Sequence, residues 1–239
     1  AYSPYLGIEL GMTNRGLRAT ELLAADTSIT PDELLTIKMD MTYSKQSWVG
    51  AWMASFAVLD LKDTPELAKA QKLLAGWDWT SDGKGSADAF AERIIRFGAR
   101  PHWRGDTMPD ARSTLREAVT EFTSRFGRID PPLGDIQRLR RGNVDLPMLG
   151  GTDALRATTA WDADQADGKM RVKHGDSYIM LVRWDKAGNV LSESIQPYGA
   201  ATTRPESPHY TDQMKLFVAG KYKPVHFEWA DAVKHAKRR

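Results

Sequence analysis

In the first half of this chain, apolar residues recur every three or four positions between short polar breaks. That period belongs to helices that bury one face. The start and stop signals are clear. Thr30-Pro31-Asp32-Glu33 has the form of a capping box: a threonine N-cap, proline in the first turn and a glutamate three residues on. Leu34, Ile37 and Met41 follow at helical spacing. Trp48, Trp52, Phe56 and Leu59 are predicted to share one buried face. Thr64-Pro65-Glu66 repeats the start signal, and Gly76 stops that helix. Ser86 is predicted to open the next helix, with Phe90, Ile94 and Phe97 inward and Gly98 as its stop. The segment from Pro109 to Phe126 carries the longest pattern, with Leu115, Val119, Phe122 and Phe126 on one face and Gly127 at its end.

Near Arg128 the period is lost. Pro131-Pro132, Gly142, Pro147 and Gly150-Gly151 break every pattern, which predicts an extended, loop-rich stretch wrapped over another surface. From Ser177 the pattern becomes that of strands. Tyr178 to Trp184 is rich in β-formers, Asp185-Lys186-Ala187-Gly188 reads as a turn, and Asn189 to Gln196 is the returning arm. A last helix is predicted to begin at Ser207 or Pro208, run through Met214, Leu216, Phe217 and Val218, and stop at Gly220. The fold class is therefore α+β: a helical first half with a late β-hairpin. The chain divides into a helical segment, 1–127, and a loop-rich segment with the hairpin and C-terminal helix, 128–239, expected to form one structural unit. Two or three strands make no stable sheet alone. Either further strands lie in the loop-rich middle, or another polypeptide completes the sheet.

Composition narrows the function classes. Apolar residues make up 41% and charged residues 27%, as in an ordinary globular protein. The charge is +2, from 33 basic and 31 acidic residues, and gives no case for nucleic acid or an anionic membrane as partner. The basic end, Lys234 to Arg239, reads as a solvated terminus. The absence of cysteine excludes disulfides, thiolate catalysis and cysteine-ligated metals. No apolar run approaches the roughly 18 residues of a membrane span, and no signal-peptide pattern stands at Ala1.

Candidate chemistry is sparse. The histidines are His102, His174, His209, His226 and His235. No two of them stand at i,i+4 on a well-predicted helix, and no His-Glu-x-x-His spacing occurs, so no metal is expected. Asp162-Ala163-Asp164 with Asp167-Gly168 lacks the register of a calcium loop and reads as a solvated acidic turn. Gly83-Lys84-Gly85-Ser86 precedes a helix but has neither P-loop spacing nor a strand before it, and reads as a connector capped by Ser86. No Gly-x-Ser-x-Gly occurs, and Ser207 and His209 are too close to act as a nucleophile–base pair. Trp48, Trp52, Trp77 and Trp79 could line an acyl pocket, although helical spacing assigns the first two to the core. These residues hold no self-contained active site.

Three longer stretches carry a family likeness. They are Thr13-Asn14-Arg15-Gly16-Leu17-Arg18-Ala19-Thr20-Glu21-Leu22-Leu23; Leu139-Arg140-Arg141-Gly142-Asn143-Val144-Asp145-Leu146-Pro147-Met148-Leu149-Gly150-Gly151; and Gly175-Asp176-Ser177-Tyr178 with Ser207-Pro208-His209-Tyr210-Thr211-Asp212-Gln213 and Gly220-Lys221-Tyr222-Lys223-Pro224. Leu73-Leu74-Ala75-Gly76-Trp77-Asp78 adds a weaker match. In this order they resemble the C-terminal part of the β-chain of penicillin-acylase-type N-terminal nucleophile hydrolases, nearer the acyl-homoserine lactone and aculeacin acylase branch than the benzylpenicillin branch. The resemblance implies a partial N-terminal nucleophile hydrolase fold in a periplasmic or secreted enzyme that cuts itself into α- and β-chains. In such an enzyme the β-chain's N-terminal serine attacks an N-acyl amide. Its own α-amino group is the base, and a backbone N–H with an asparagine side chain stabilises the oxyanion. No cofactor takes part.

Carried over residue by residue, the resemblance assigns Arg15 a supporting role beside the oxyanion asparagine and the serine's amino group. Neither the nucleophile nor that asparagine matches a position here, and Ser3 does not fit the serine motif. The expected partners are the remainder of the β-chain, the α-chain and an N-acyl amide substrate. Alone, the fragment is expected to be inactive, and to dimerise or be disordered between about Pro131 and Lys173. Two departures stand out. The family's Gly-Gln-Ser after the second hairpin strand is replaced by Tyr198-Gly199-Ala200-Ala201, and the region around Ser3-Pro4-Tyr5 offers no calcium-binding carboxylate. The alternative reading is a non-catalytic interaction module that binds a partner chain through its hairpin edge.

Overall fold

The computed structural model describes residues 12–160 and 167–236. The chain divides into two units, one made of the chain up to Arg138 with Pro147–Gly175, the other of Leu139–Leu146 with Asp176–Arg239.

The first unit is mainly helical: α1 (Asn14–Ala24), α2 (Pro31–Lys38), α3 (Trp48–Ala57), α4 (Pro65–Ala75), α5 (Asp88–Arg104), α6 (Ala111–Phe126) and the single turn α7 (Leu133–Ile136). The capping box at Thr30 forms as its sequence predicts, with the Glu33 N–H donating to Thr30 Oγ1 and the Thr30 N–H to the Glu33 carboxylate. Leu34, however, is exposed, because α2 buries none of its residues. Thr64 makes no side-chain cap, although α4 begins at Pro65 as expected.

The core forms where α3, α5 and α6 bring Trp52, Phe56, Phe90, Ile94, Ile95, Leu115 and Phe122 out of water. Two expectations for α5 are corrected. It starts at Asp88, with Ser86 exposed before it, and it runs through Gly98 to Arg104. Gly98 is a packing residue: a Cβ there would lie 2.8 Å from Trp52 Nε1, which donates to the Ile94 carbonyl at 2.8 Å. The stop is Gly105, at φ 71°.

The loop-rich middle holds strands, the first of the two alternatives. In the first unit β1 (Gln137–Arg141) starts parallel to β4 (Met170–Arg171), and β3 (Thr158–Thr159) pairs antiparallel with β5 (His174–Gly175). The predicted disorder is not found in the described residues: Leu133, Ile136, Gln137, Met148, Ala154, Thr158 and Ala160 are all buried.

In the second unit, β1 turns at Gly142, φ 56°, into β2 (Val144–Pro147). The predicted hairpin is β6 (Ile179–Trp184) against β7 (Val190–Ile195), in register from Ile179↔Ile195 to Trp184↔Val190. β8 (Lys223–Pro224) adds to β7, so the sheet order is β6-β7-β8 with β6 at an edge. Two short helices follow in this unit, α8 (Met214–Val218) and α9 (Trp229–His235).

The last predicted helix is shorter than its sequence suggests. Residues 207–213 form turns, and helix begins only at Met214. Ser207 closes a local turn, accepting from the His209 N–H at 3.2 Å, while the Tyr210 N–H donates to its carbonyl at 3.0 Å. His209 is exposed and bonds Asp212 at 2.8 Å.

Candidate functional site

Arg15 sits on the first turn of α1, just after its N-cap. Thr13 Oγ1 accepts from the Gly16 N–H at 3.1 Å, which fixes where the helix starts and which way Asn14 and Arg15 point. Both residues meet Asp153, 138 and 139 positions later. The Asn14 N–H donates to Asp153 Oδ2 at 2.8 Å and Asn14 Nδ2 to the Asp153 carbonyl at 2.9 Å. Asn14 Oδ1 in turn accepts from the Ser44 N–H at 2.9 Å. Trp48 Nε1 also donates to Oδ2, at 3.0 Å, and Arg15 Nε to Oδ1, at 3.0 Å.

This arrangement is asymmetric. The Asp153 side chain is 1% exposed, while that of Arg15 is 50% exposed. One end of the ion pair is held in the interior by two further donors, the Asn14 N–H and Trp48 Nε1. The other presents a guanidinium outward, and its Nη groups carry no further hydrogen bond among the described residues. Asp153 adopts φ 65°, a backbone state that aspartate and asparagine tolerate better than most residues.

A second buried carboxylate lies behind this one. Glu92, fully buried on α5, accepts from Ser81 Oγ and Tyr43 Oη at 2.6 Å each and from the Thr152 N–H at 3.1 Å. The Tyr43 hydroxyl also lies 2.8 Å from the Thr152 carbonyl. A tyrosine has one proton for these two acceptors. A protonated Glu92 satisfies both: the acid donates to Tyr43, and Tyr43 donates to the carbonyl. Burial pushes the Glu92 acid up from its ordinary range, opposed by the charge of Arg96. Burial likewise raises the Tyr43 phenol well above its usual value, and lowers the Arg96 guanidinium to about 10.

The Gly150-Gly151 pair is explained here. A Cβ on Gly151 would stand 2.0 Å from Glu92 Oε1 and 2.1 Å from Tyr43 Oη, and Gly150 adopts φ 99°. A Cβ on Gly150 would meet the Arg156 carbonyl at 2.4 Å, so a side chain at Gly151 displaces the Glu92–Tyr43 network and one at Gly150 the Arg156 backbone. Trp77, which the sequence left ambiguous, is buried against Tyr43 with ring centroids 5.5 Å apart and donates to the Thr80 carbonyl at 3.0 Å. Trp79 stacks on it at 5.4 Å. Trp48, expected in the core, is only half-buried: it stacks on the exposed His102 at 4.7 Å and serves the Asp153 cluster.

The other candidates resolve into local structure. In the Gly83-Lys84-Gly85-Ser86 loop, the Gly83 N–H already donates to Asp88 Oδ2 at 2.8 Å, so the chain's own carboxylate takes the place an anion would occupy. Desolvation first, then the charges of Asp78 and Asp82, raise that carboxyl to about 6. Ser44 and Ser81 each donate to a carboxylate, but both are buried and neither can meet a substrate. Residues 162–164 and the Ser3-Pro4-Tyr5 region lie outside the described residues. An open cleft of about 420 Å³ is lined by Leu35, Met39, Asp40, Thr42, Thr80 and Asp82. Its Asp40 is held by Arg18, through Nε at 3.0 Å and Nη2 at 3.2 Å.

The second unit explains two signature stretches together. Arg141 lies over the rings of Tyr198, at 4.7 Å, and Tyr210, at 4.3 Å, and donates to the Thr202 carbonyl at 2.8 Å. A Cβ on Gly199 would fall 1.7 Å from the His209 carbonyl. Arg141, Tyr198-Gly199 and the Ser207–Gln213 turn therefore form one structural knot.

Comparison with known proteins gives the family. The sequence profile described as penicillin amidase matches residues 1–234. The chain belongs to the penicillin amidase family. A curated relative, the acyl-homoserine lactone acylase PvdQ of Pseudomonas fluorescens, is 30% identical over 128 residues, covering 50% of this chain and 16% of that protein. A thermostable penicillin G acylase from Alcaligenes faecalis is a solved neighbour, with a TM-score of 0.47 and 11% identity over 98% of this chain and 53% of its own. The chain thus spans only part of the length of these relatives. No helix among the described residues is long and apolar enough to cross a membrane.

Proposed function

We propose that this chain supplies the C-terminal part of an N-acyl amide hydrolase of the penicillin or acyl-homoserine lactone acylase type, and that Arg15 is its contribution to the active site. The observation that carries the reading is the Arg15–Asp153 pair, with its carboxylate buried and its guanidinium half exposed. Two donors besides Arg15 hold the carboxylate still, so the guanidinium is aimed before any substrate arrives. In the assembled enzyme the nucleophilic serine and the oxyanion asparagine come from the rest of the β-chain, with the α-chain as further partner. Arg15 orients the two groups and adds positive charge where the oxyanion develops. The enzyme works in the periplasm or outside the cell. Without its partners the chain is inactive, and it self-associates through the open edge of β6.

Two measurements test this. The purified 239-residue chain should turn over neither an acyl-homoserine lactone nor benzylpenicillin; turnover of either rejects the inactive-fragment claim. In the polypeptide that also carries the family's upstream serine segment, Arg15→Lys keeps the charge but loses the oriented Nε bond. It should lower kcat roughly 100-fold with little change in KM. An unchanged kcat removes Arg15 from the site. The interaction-module alternative draws on the exposed row Tyr178, Met180, Val182 and Trp184, and gains if the longer polypeptide is also inactive but binds a partner chain.

A further inference from the structure

His226, Asp231 and His235 converge near the end of the described chain, although no His–His spacing announces them. Asp231 and His235 stand at i,i+4 on α9, and His226 lies just before that helix. One ligand atom from each residue falls within 4.8 Å of the other two. His226 Nδ1 bonds Asp231 Oδ2. His235 Nδ1 lies 3.1 Å from Asp231 Oδ1 and 2.9 Å from the Asp231 carbonyl. The two imidazoles are stacked, 4.3 Å apart and 6° from parallel, so both Nδ1 atoms face one carboxylate.

Helix packing does not account for this. α9 has seven residues, buries none of them, and its N-cap Glu228 makes no side-chain cap bond. A helix that short is not stable alone in water. A divalent cation held by the two Nδ1 atoms and the Asp231 carboxylate would tie His226 to the helix. Ligand atoms around tetrahedral zinc lie roughly 3.3 Å apart. The three ligand atoms here lie within 4.8 Å of one another, near that spacing. Two imidazoles with one carboxylate favour zinc and its first-row neighbours over calcium or magnesium.

We propose that His226, Asp231 and His235 bind a zinc-class divalent cation that clips the C-terminal helix in place. The test is calorimetric titration of the whole 239-residue chain with zinc chloride in a non-chelating buffer at pH 7.5, repeated for His226→Ala, His235→Ala and the control His209→Ala. The chain has no cysteine to compete for the metal. One-to-one binding is expected, weakened at least about tenfold by either ligand variant and unchanged by the control. Hydrogen exchange gives a second readout. At zinc ten times above Kd, opening of residues 229–235 should be suppressed roughly tenfold. Absence of saturable binding, equal binding by both ligand variants, or binding without protection of that helix overturns the proposal.

Discussion

The two units treat polarity in opposite ways. In the first, Asn14, Glu92, Arg96, Asp153 and Arg156 are almost wholly withdrawn from water. In the second, Tyr178, Met180, Val182 and Trp184 stand exposed along one side of β6. Each inverts the common rule, and each inversion is informative. Buried polar groups are tolerated where a closed set of donors and acceptors surrounds them, as Ser81, Tyr43 and Thr152 surround Glu92. An alternating apolar row on an edge strand is tolerated where something else is meant to cover it. The first unit therefore gains rigidity from its interior, and the second exposes a surface that contributes little to its own stability.

The sharpest way to break that contrast is Glu92→Ala. It leaves the Thr152 N–H and two hydroxyls without their common acceptor, and should cost about 3–5 kcal/mol in urea unfolding. Glu92→Gln is the diagnostic partner. Its NH₂ group would donate to Tyr43 and its oxygen would accept from Thr152, as in a neutral acid, while Ser81 Oγ would turn to accept the second N–H. If Glu92 is protonated in the fold, the glutamine variant costs under about 1 kcal/mol. A cost as large as that of alanine would mean that the negative charge itself holds the network.

How much of this could be read from the chain depends on the range of each interaction. Caps and turns were legible because they act within four residues, as at Thr30 and at Asp185–Gly188. Gly98 was misread as a stop because a glycine chosen for close approach to Trp52 is indistinguishable, in sequence, from one chosen for a left-handed cap. Ser207-Pro208 was misread as a helix start because the same residue types build isolated turns. Arg15 was reached only through its resemblance to a family. Its partner Asp153 was invisible, since neither a separation of 138 positions nor a positive φ leaves a local trace. Gly150-Gly151 was visible as a break, but the reasons for it, the nearness of Arg156 to the first and of Glu92 and Tyr43 to the second, are tertiary. The His226 cluster escaped a search for histidine pairs because its helical pair is an aspartate and a histidine.

A second test concerns pH. Asp88 has its carboxyl raised to about 6 from 3.8, chiefly by desolvation. A carboxyl whose pKa is higher folded than unfolded binds its proton more tightly in the native state. Its ionisation therefore opposes folding above pH 6, and this cost fades as pH falls from 6 to 4. The full span is on the order of 3 kcal/mol. Asp88→Asn keeps an oxygen for the Gly83 N–H and removes the ionisation. The variant should be more stable than the parent at pH 7, with the difference vanishing by about pH 4. A difference independent of pH would show that the first unit holds Asp88 without dehydrating it.

The smallest expected effect tests the other half of the contrast. Trp184 is 68% exposed at the end of β6, opposite Val190. Trp184→Thr keeps β-propensity and removes a large apolar surface that packs on little. In the isolated chain it should change stability by no more than about 0.5 kcal/mol. It should also reduce self-association, measured by sedimentation at several concentrations. The same substitution in the longer polypeptide should cost more, because a covered tryptophan is worth about 3–5 kcal/mol when removed. If the isolated chain itself loses that much, the β6 row is part of the second unit's own core, and the two units differ less than their exposed surfaces suggest.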